Sequence, residues 1–180
     1  AGNDTLLGSV NIIGNNIFFG DDGDDILNAK AGQDILTGGT GADLFVRESG
    51  GNNDTITDYS FAEGDVVNYT SSLTDVSSLI TMRTGDDLII NDNEAVIIGD
   101  VVITSSEVVL QDFFSGFTFP AEVSVSFAPD GSNPIVLLFD AAGKIVDENI
   151  LGTNADDQLI GTQGDDVLAG LDGDDAIFGL

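Results

Sequence analysis

Apolar residues near the two ends of this chain recur at a spacing that fits neither an amphipathic helix nor an ordinary hairpin. Aligned at Gly152, the C-terminal stretch reads GTNADDQLI, GTQGDDVLA, GLDGDDAIF and then GL, with an aliphatic residue at each eighth place (Leu159, Leu168, Ile177). Near the N-terminus the same frame gives GDDGDDILN, AKAGQDILT and GGTGADLFV, with Leu27, Leu36 and Phe45 at the eighth place. A weaker copy, NIIGNNIFF, precedes them. Six turn-forming residues leave about three for a strand, too few for a two-stranded hairpin. One inward apolar side chain per unit suits a short strand stacked on parallel neighbours. Glycine at the fourth place suits a backbone that a β-carbon would hinder. Two units then make one coil, and residues eighteen apart lie above one another.

Between Phe61 and Leu151 the frame disappears. Strands are expected at Asp65–Tyr69, Leu79–Met82, Asp87–Ile90, Ala95–Ile98, Val101–Ile103 and Glu107–Leu110, then at Phe113–Phe119, Val123–Phe127, Ile135–Phe139 and Lys144–Val146. Alternation is clear in VSVSF, and the Pro129-Asp130-Gly131 turn links it to IVLLF. No segment has the periodicity of an amphipathic helix. The expected fold class is therefore all-β, with parallel β-roll segments at both ends flanking a small antiparallel β-sandwich or extended sheet. Its parts are an N-terminal roll and closing segment (1–60), a β-rich middle (61–151) and a C-terminal roll (152–180).

Charge narrows the picture. Thirty-two acidic side chains face four basic ones, Lys30, Arg47, Arg83 and Lys144, for a net charge of −28. A compact fold with that charge repels itself and needs cations. Nucleic acid is excluded as a partner, and no run is long and apolar enough to insert in a membrane. There is no Cys and no His, which removes disulfides, thiolate and imidazole catalysis and the usual zinc, copper and iron sites. No Ser-His-Asp set can form, and no glycine-rich loop ends in the Lys-Ser or Lys-Thr that phosphate binding requires. Asp86 with Asp87, and Asp92 with Glu94, read as solvated turns, so the chain is expected not to be an enzyme.

The sixth place of each unit carries the remaining chemistry: Asp25, Asp34, Asp43, Asp157, Asp166 and Asp175, with Asn16 in the weak copy. Stacked coils bring these carboxylates and the turn carbonyls into rows. Oxygen donors without nitrogen or sulfur describe a hard-cation site, and calcium fits best. Two bare carboxylates about 4 Å apart repel by roughly 4 kcal/mol at an effective dielectric of 20, so closure of the stack requires a divalent ion.

GGTGADLFV matches Gly-Gly-x-Gly-x-Asp-x-apolar-x at every fixed place. The pattern resembles the RTX (hemolysin-type) calcium-binding family, whose repeats form a parallel β-roll. The resemblance covers roughly Gly14 to Asp65 and Gly152 to Leu180, plus the first few residues. GADLFVRESGGNNDTITDYSFAEGDVV also resembles the region that closes such rolls in exported bacterial proteins. It implies further ligands at Asp54, Asp58 and Asp65, and ions shared by Asp25 with Asp43 and by Asp157 with Asp175. It also implies export in an unfolded state through a type I exporter, with folding outside the cell or on its surface. The sequence departs from the pattern in places. Only Gly38-Gly39 keeps both leading glycines, Lys30 replaces a glycine, Ala155 takes a fourth-place glycine and Asn16 replaces Asp. The aromatics of QDFFSGFTFP read first as core, and second as a strand that docks on a partner.

Placing Gly179-Leu180 before Ala1–Leu7 gives GLAGNDTLL, a complete unit with Asp4 at the sixth place and Leu6 at the eighth. The expectation is a tandem array or a stack of separate copies, with Asp166 of one copy and Asp4 of the next sharing an ion. The function expected is a calcium-stabilised extracellular structural module that stacks head-to-tail, as a filament, a surface-layer or matrix subunit, or one repeat of a large adhesin. Two alternatives stand beside it: a calcium-binding accessory domain of a type I-secreted exoenzyme, and a calcium-dependent glycan- or ligand-binding module.

Overall fold

A computed structural model describes residues 2–9, 14–48, 53–70, 79–91, 95–98, 101–104, 107–116, 121–128, 130–132, 134–151, 158–160, 167–169 and 176–178. In the N-terminal part each repeat contributes a strand just after its sixth place. These are β1 (Thr5–Leu7), β2 (Ile17–Asp22), β3 (Ile26–Asn28), β4 (Ile35–Thr40) and β5 (Leu44–Arg47), followed by β6 (Asn53–Ile56). A 3-10 turn, Phe61–Glu63, leads to β7 (Val66–Tyr69). The middle supplies β8 (Ile80–Thr84), β9 (Asp87–Asn91), β10 (Ala95–Ile98), β11 (Val101–Thr104), β12 (Glu107–Leu110), β13 (Ala121–Ser126), β14 (Ile135–Phe139) and β15 (Ile145–Leu151). Three short strands follow: β16 (Gln158–Ile160), β17 (Val167–Ala169) and β18 (Ala176–Phe178).

Successive N-terminal strands alternate between two sheets, the signature of a roll with two units per coil. One sheet has the order β1-β3-β5-β7-β13-β14-β15-β17 and the other β2-β4-β6-β12-β9-β8. The roll strands pair in parallel, with Ile17 beside Ile35 and Ile26 beside Leu44 at eighteen-residue spacing. Between β1 and β3 the spacing widens, with Thr5 beside Ile26. The C-terminal units repeat the arrangement, with β17 parallel to β15 and β18 parallel to β16.

Both sheets run from the roll into the non-repeat part, across the expected boundary near residue 60. β13 joins β7 in parallel and β12 joins β6 in parallel, while the β8-β9 and β13-β14-β15 pairings are antiparallel. The inward row of the first sheet is Leu6, Leu27, Phe45, Val67, Val125 and Ile135, each registered on the next. In the second sheet it is Phe18, Leu36, Ile56, Leu110 and Leu88. The eighth-place residues Leu27, Leu36 and Phe45 and the sandwich residues thus form one core, each fully buried aliphatic or aromatic side chain contributing about 1.5–3 kcal/mol.

Among the described residues, the first half of the strand expected at Phe113–Phe119 is a turn. Residues 113–116 form a turn after β12, bounded by left-handed backbone at Asp112 (φ 54°) and Gly116 (φ 80°). The Asp112 N–H donates to Asp87 Oδ1 at 2.8 Å and the Phe114 N–H to Asp86 O at 2.8 Å, which bends the chain inward. Phe113 lies 6.0 Å from Tyr59 and 6.4 Å from Phe139, and Arg83 covers the Phe114 ring at 4.6 Å. These two aromatics are core; Phe117 and Phe119 lie outside the described residues.

Candidate metal centre

The turns preceding the roll strands stack on two sides. One side carries Asp4, Asp25, Asp43 and Asp65, each just before its strand in the first sheet; the other carries Asn16 and Asp34, just before strands of the second, and Asp54, the second residue of β6. Within each stack the carboxylate of one coil receives the backbone N–H of the coil before it. The Asp4 N–H donates to Asp25 Oδ1 (2.6 Å), that of Asp25 to Asp43 Oδ1 (2.9 Å) and that of Asp43 to Asp65 Oδ1 (2.9 Å). On the other side the Asn16 N–H donates to Asp34 Oδ1 (2.7 Å) and that of Asp34 to Asp54 Oδ1 (3.1 Å). The carbonyls of Asp4, Asp25 and Asp43 accept from Ile26, Leu44 and Val66 of the following coil. Each described sixth-place residue therefore spends both backbone groups on neighbouring coils.

The second carboxylate oxygens of Asp25, Asp34 and Asp43 are buried without a hydrogen-bond partner. An unpaired buried acceptor costs about 1–3 kcal/mol, and more when charged. Glycine at the first place of the repeat makes room beside two of them. A Cβ on Gly20 would overlap Asp25 Oδ2 and the Gly38 carbonyl of the next coil, and one on Gly38 would overlap Asp43 Oδ2. A carboxylate oxygen and a backbone carbonyl thus converge on space that only glycine leaves open. This donor set fits calcium, which takes carboxylate and carbonyl oxygens in flexible geometry. Among the described residues no three carboxylates gather into one metal-binding cluster, so each such site draws on one or two carboxylates and on backbone oxygens.

Electrostatics set what these carboxylates prefer. Burial raises the carboxyl of Asp43, reinforced by the charges of Asp25, Asp58 and Asp24 and opposed by the Asp25 N–H. Burial likewise pushes Asp54 and Asp65 up to about 6, against the backbone N–H groups that each accepts. Left alone, these groups favour protonation; a bound cation favours the ionised form.

The other expected ligands stand differently. Asp65 closes its stack, its Oδ2 accepting the Ser60 N–H at 2.8 Å. The Tyr59 hydroxyl donates to Asp65 O at 3.0 Å and accepts the Ser124 N–H at 2.7 Å, tying that end to β13. Both oxygens of Asp58 are engaged by glycine N–H groups, Gly38 at 3.0 Å and Gly39 at 2.8 Å. Asp4 is exposed on the outermost coil. Asp25 and Asp43 are brought together, linked through the Asp25 N–H. Asp157, Asp166 and Asp175 lie outside the described residues.

Sequence reasoning missed two features. Arg47 is buried, 2% exposed, and its charge favours the ionised form of Asp54. The available signal was alternation, because Arg47 falls two residues after the inward Phe45. Lys30 adopts the left-handed backbone (φ 70°) that glycine normally supplies at the second place, as does Asp21 (φ 71°). Its ammonium pairs with Glu48, eighteen residues on.

A family model agrees with the repeat frame. The RTX calcium-binding nonapeptide repeat matches the chain in four copies, at residues 13–45 and 151–180. No curated protein matches the chain. Among solved structures it is similar to the solution structure of the AlgE6R3 subunit from the Azotobacter vinelandii mannuronan C5-epimerase. The two are 20% identical over 80% of this chain and 84% of that one, with a TM-score of 0.28.

Proposed function

The chain carries RTX calcium-binding nonapeptide repeats in two segments, and from that premise we propose that it is a calcium-stabilised extracellular structural module of a bacterium that stacks head-to-tail. In this reading it is non-catalytic. Calcium neutralises the glycine-lined carboxylate rows, and open roll edges accept the next copy. Millimolar calcium outside cells suits the weak affinities of extracellular modules.

The observation that carries the reading is the direction of the edge strands. The edges of the eight-stranded sheet are β1 and β17. Following the pairings across the sheet, β1, β3, β5, β7 and β13 are parallel, two antiparallel steps lead to β15, and β17 is parallel to β15. The two edges therefore run the same way, and β1 of one copy extends β17 of another as one more parallel strand. Aligning the eighth places sets Leu6 against Leu168 and puts Asp4 in the turn stack of Asp166. The open ends also expose Leu7 (63%) and Ile177 (48%), apolar surface that stacking covers. Unpaired edges of this kind favour such addition, and a head-to-tail contact that does not close builds a filament.

Sedimentation and electron microscopy of the purified chain test this. Particles should lengthen in millimolar calcium, fall apart in chelator, and stay short for Asp4→Ala and Asp166→Ala. A chain that remains monomeric in saturating calcium at high protein concentration overturns the proposal.

A further inference from the structure

The two turn stacks of the roll differ at the first place of the repeat. Where Asp25 and Asp43 sit, that place is Gly20 and Gly38, and the room they leave is what the unpartnered carboxylate oxygens face. Where Asp34 and Asp54 sit, the same place holds Ala29 and Arg47, so a Cβ already fills it. The cradle at Gly20 also borrows the Gly38 carbonyl from the next coil. Its counterpart in the other stack, eighteen residues after Ala29, is the Arg47 carbonyl. That oxygen already accepts the Thr70 N–H at 3.0 Å and the Thr70 hydroxyl at 3.1 Å.

Positive charge is supplied here by the chain. Arg47 is 2% exposed and lines one small cavity with Asp54, Ile56 and Val108. One place further on, the Lys30 ammonium pairs with Glu48 Oε1, which also accepts from Asn28 Nδ2 at 3.0 Å. Two of only four basic side chains in a chain of net charge −28 thus stand at one end of one stack. Asp34 does keep a buried oxygen without a partner. That carboxylate lies beside Gly32, whose close approach is to the Gly14 carbonyl of the preceding coil, so the step in question is the one at Asp54.

We infer that Arg47 takes the place of a calcium ion at the Asp34-to-Asp54 step, so that this end of the roll is neutralised by the chain itself and binds no metal. The inference rests on the reading that the glycine-bearing stack holds calcium. A buried carboxylate needs a partner charge, and a guanidinium is the side-chain cation best suited to supply one without water. The roll would then change from metal-held to self-held where its sheets pass into the sandwich.

Counting bound calcium on the intact chain by equilibrium dialysis separates the two readings. Asp43→Asn should bind fewer ions than the parent. Asp54→Asn, which retains an oxygen to accept the Asp34 N–H, should bind the same number. Loss of an ion in Asp54→Asn overturns the inference, whereas loss in neither variant overturns the calcium reading beneath it. A second pair guards against a variant that fails to fold. In saturating calcium, Arg47→Met should lower the thermal midpoint by roughly 6–20 °C, and Arg47→Lys, which keeps the charge, should recover more than half of that drop. Equal midpoints for the Met and Lys variants overturn the inference.

Discussion

The roll and the antiparallel half of this molecule use the same residue, aspartate, in opposite ways. In the hairpin turns of the antiparallel half, Asp130 Oδ1 accepts the N–H of Ser132, and Asp140 Oδ1 accepts those of Ala142 and Lys144. These bonds span two to four residues, and the side chains stay in water. Ser132 holds the Asp130 carboxyl below its usual range, and Lys144 does the same for Asp140. In the roll, Asp25, Asp43 and Asp65 bond to residues 18 to 22 positions away and are buried, with Asp43 and Asp65 raised rather than lowered. A turn aspartate that bonds within its own turn is complete. One that bonds to the next coil brings charge into the interior, and the fold then depends on something to offset it.

The sharpest break in this comparison should come from removing calcium. Amide exchange in excess chelator at low salt should lose protection at Leu27 and Leu36 while Val123, Leu137 and Phe139 keep theirs. Equal loss in both halves would mean that the shared core, and not the metal, holds the roll. Next in size are single carboxylates. Asp43→Ala should cost on the order of 1–3 kcal/mol and raise the calcium midpoint, whereas Asp140→Ala should leave the calcium titration unchanged; calorimetric titration of both variants checks this.

Acidity should separate the halves in a direction set by the raised carboxyls. Asp54 and Asp65 sit at about 6 when folded, above the 3.8 of the free group. Their contribution in metal-free protein is complete below about 4 and is lost as pH rises through 6. In chelator the roll should therefore be more stable at pH 5 than at pH 7. In calcium the order reverses, because protons compete with the ion at Asp43, whose carboxyl is also raised by burial, and the calcium midpoint should rise as pH falls. Parallel denaturation series with and without calcium read both slopes. Smallest is Asp21→Gly. It relieves a left-handed backbone (φ 71°) worth about 1–2 kcal/mol and gives back roughly 0.5–1 kcal/mol in unfolded-state entropy. A net gain under about 1 kcal/mol in denaturant is expected.

Much of the roll could be read from the sequence because its information is periodic. Leu27, Leu36 and Phe45 repeat in frame, and the strands follow at Ile26, Ile35 and Leu44. The sixth-place aspartates were readable for the same reason. The pairing of β12 with β6 was not, since Val109 meets Thr55 across a stretch with no shared frame, and non-local pairing leaves no mark on local composition. Phe113 and Phe114 were misread as strand because the backbone bonds to Asp86 and Asp87 that turn the chain are long-range. Arg47 escaped because a charge in a strand normally points outward; the charge of Asp54, brought near by the coil, and the Glu48 carbonyl, which accepts from its guanidinium at 3.2 Å, help to offset its burial. The rows of sixth-place carboxylates were legible, whereas the use of Asp58 and Asp65 by backbone N–H groups depended on where Gly38, Gly39 and Ser60 come to lie.

The buried carboxylates that link one coil to the next all accept from the same side. Asp4 leans on Asp25, Asp25 on Asp43, and Asp43 on Asp65, which is fixed by Ser60 and, through Tyr59, by β13. In return each coil offers its successor only backbone carbonyls and no sixth-place carboxylate, so the side-chain contacts give assembly an arrow. The end-stop at Asp65 can form from local contacts and the sandwich, and every later coil finds a finished template on one side and solvent on the other. A chain entering a calcium-rich medium would then zip from this stop toward its N-terminus, one coil per step, and fray in the reverse order. Opening rates from amide exchange should climb from Val66 through Leu44 to Ile26, a kinetic gradient written into the direction of three hydrogen bonds.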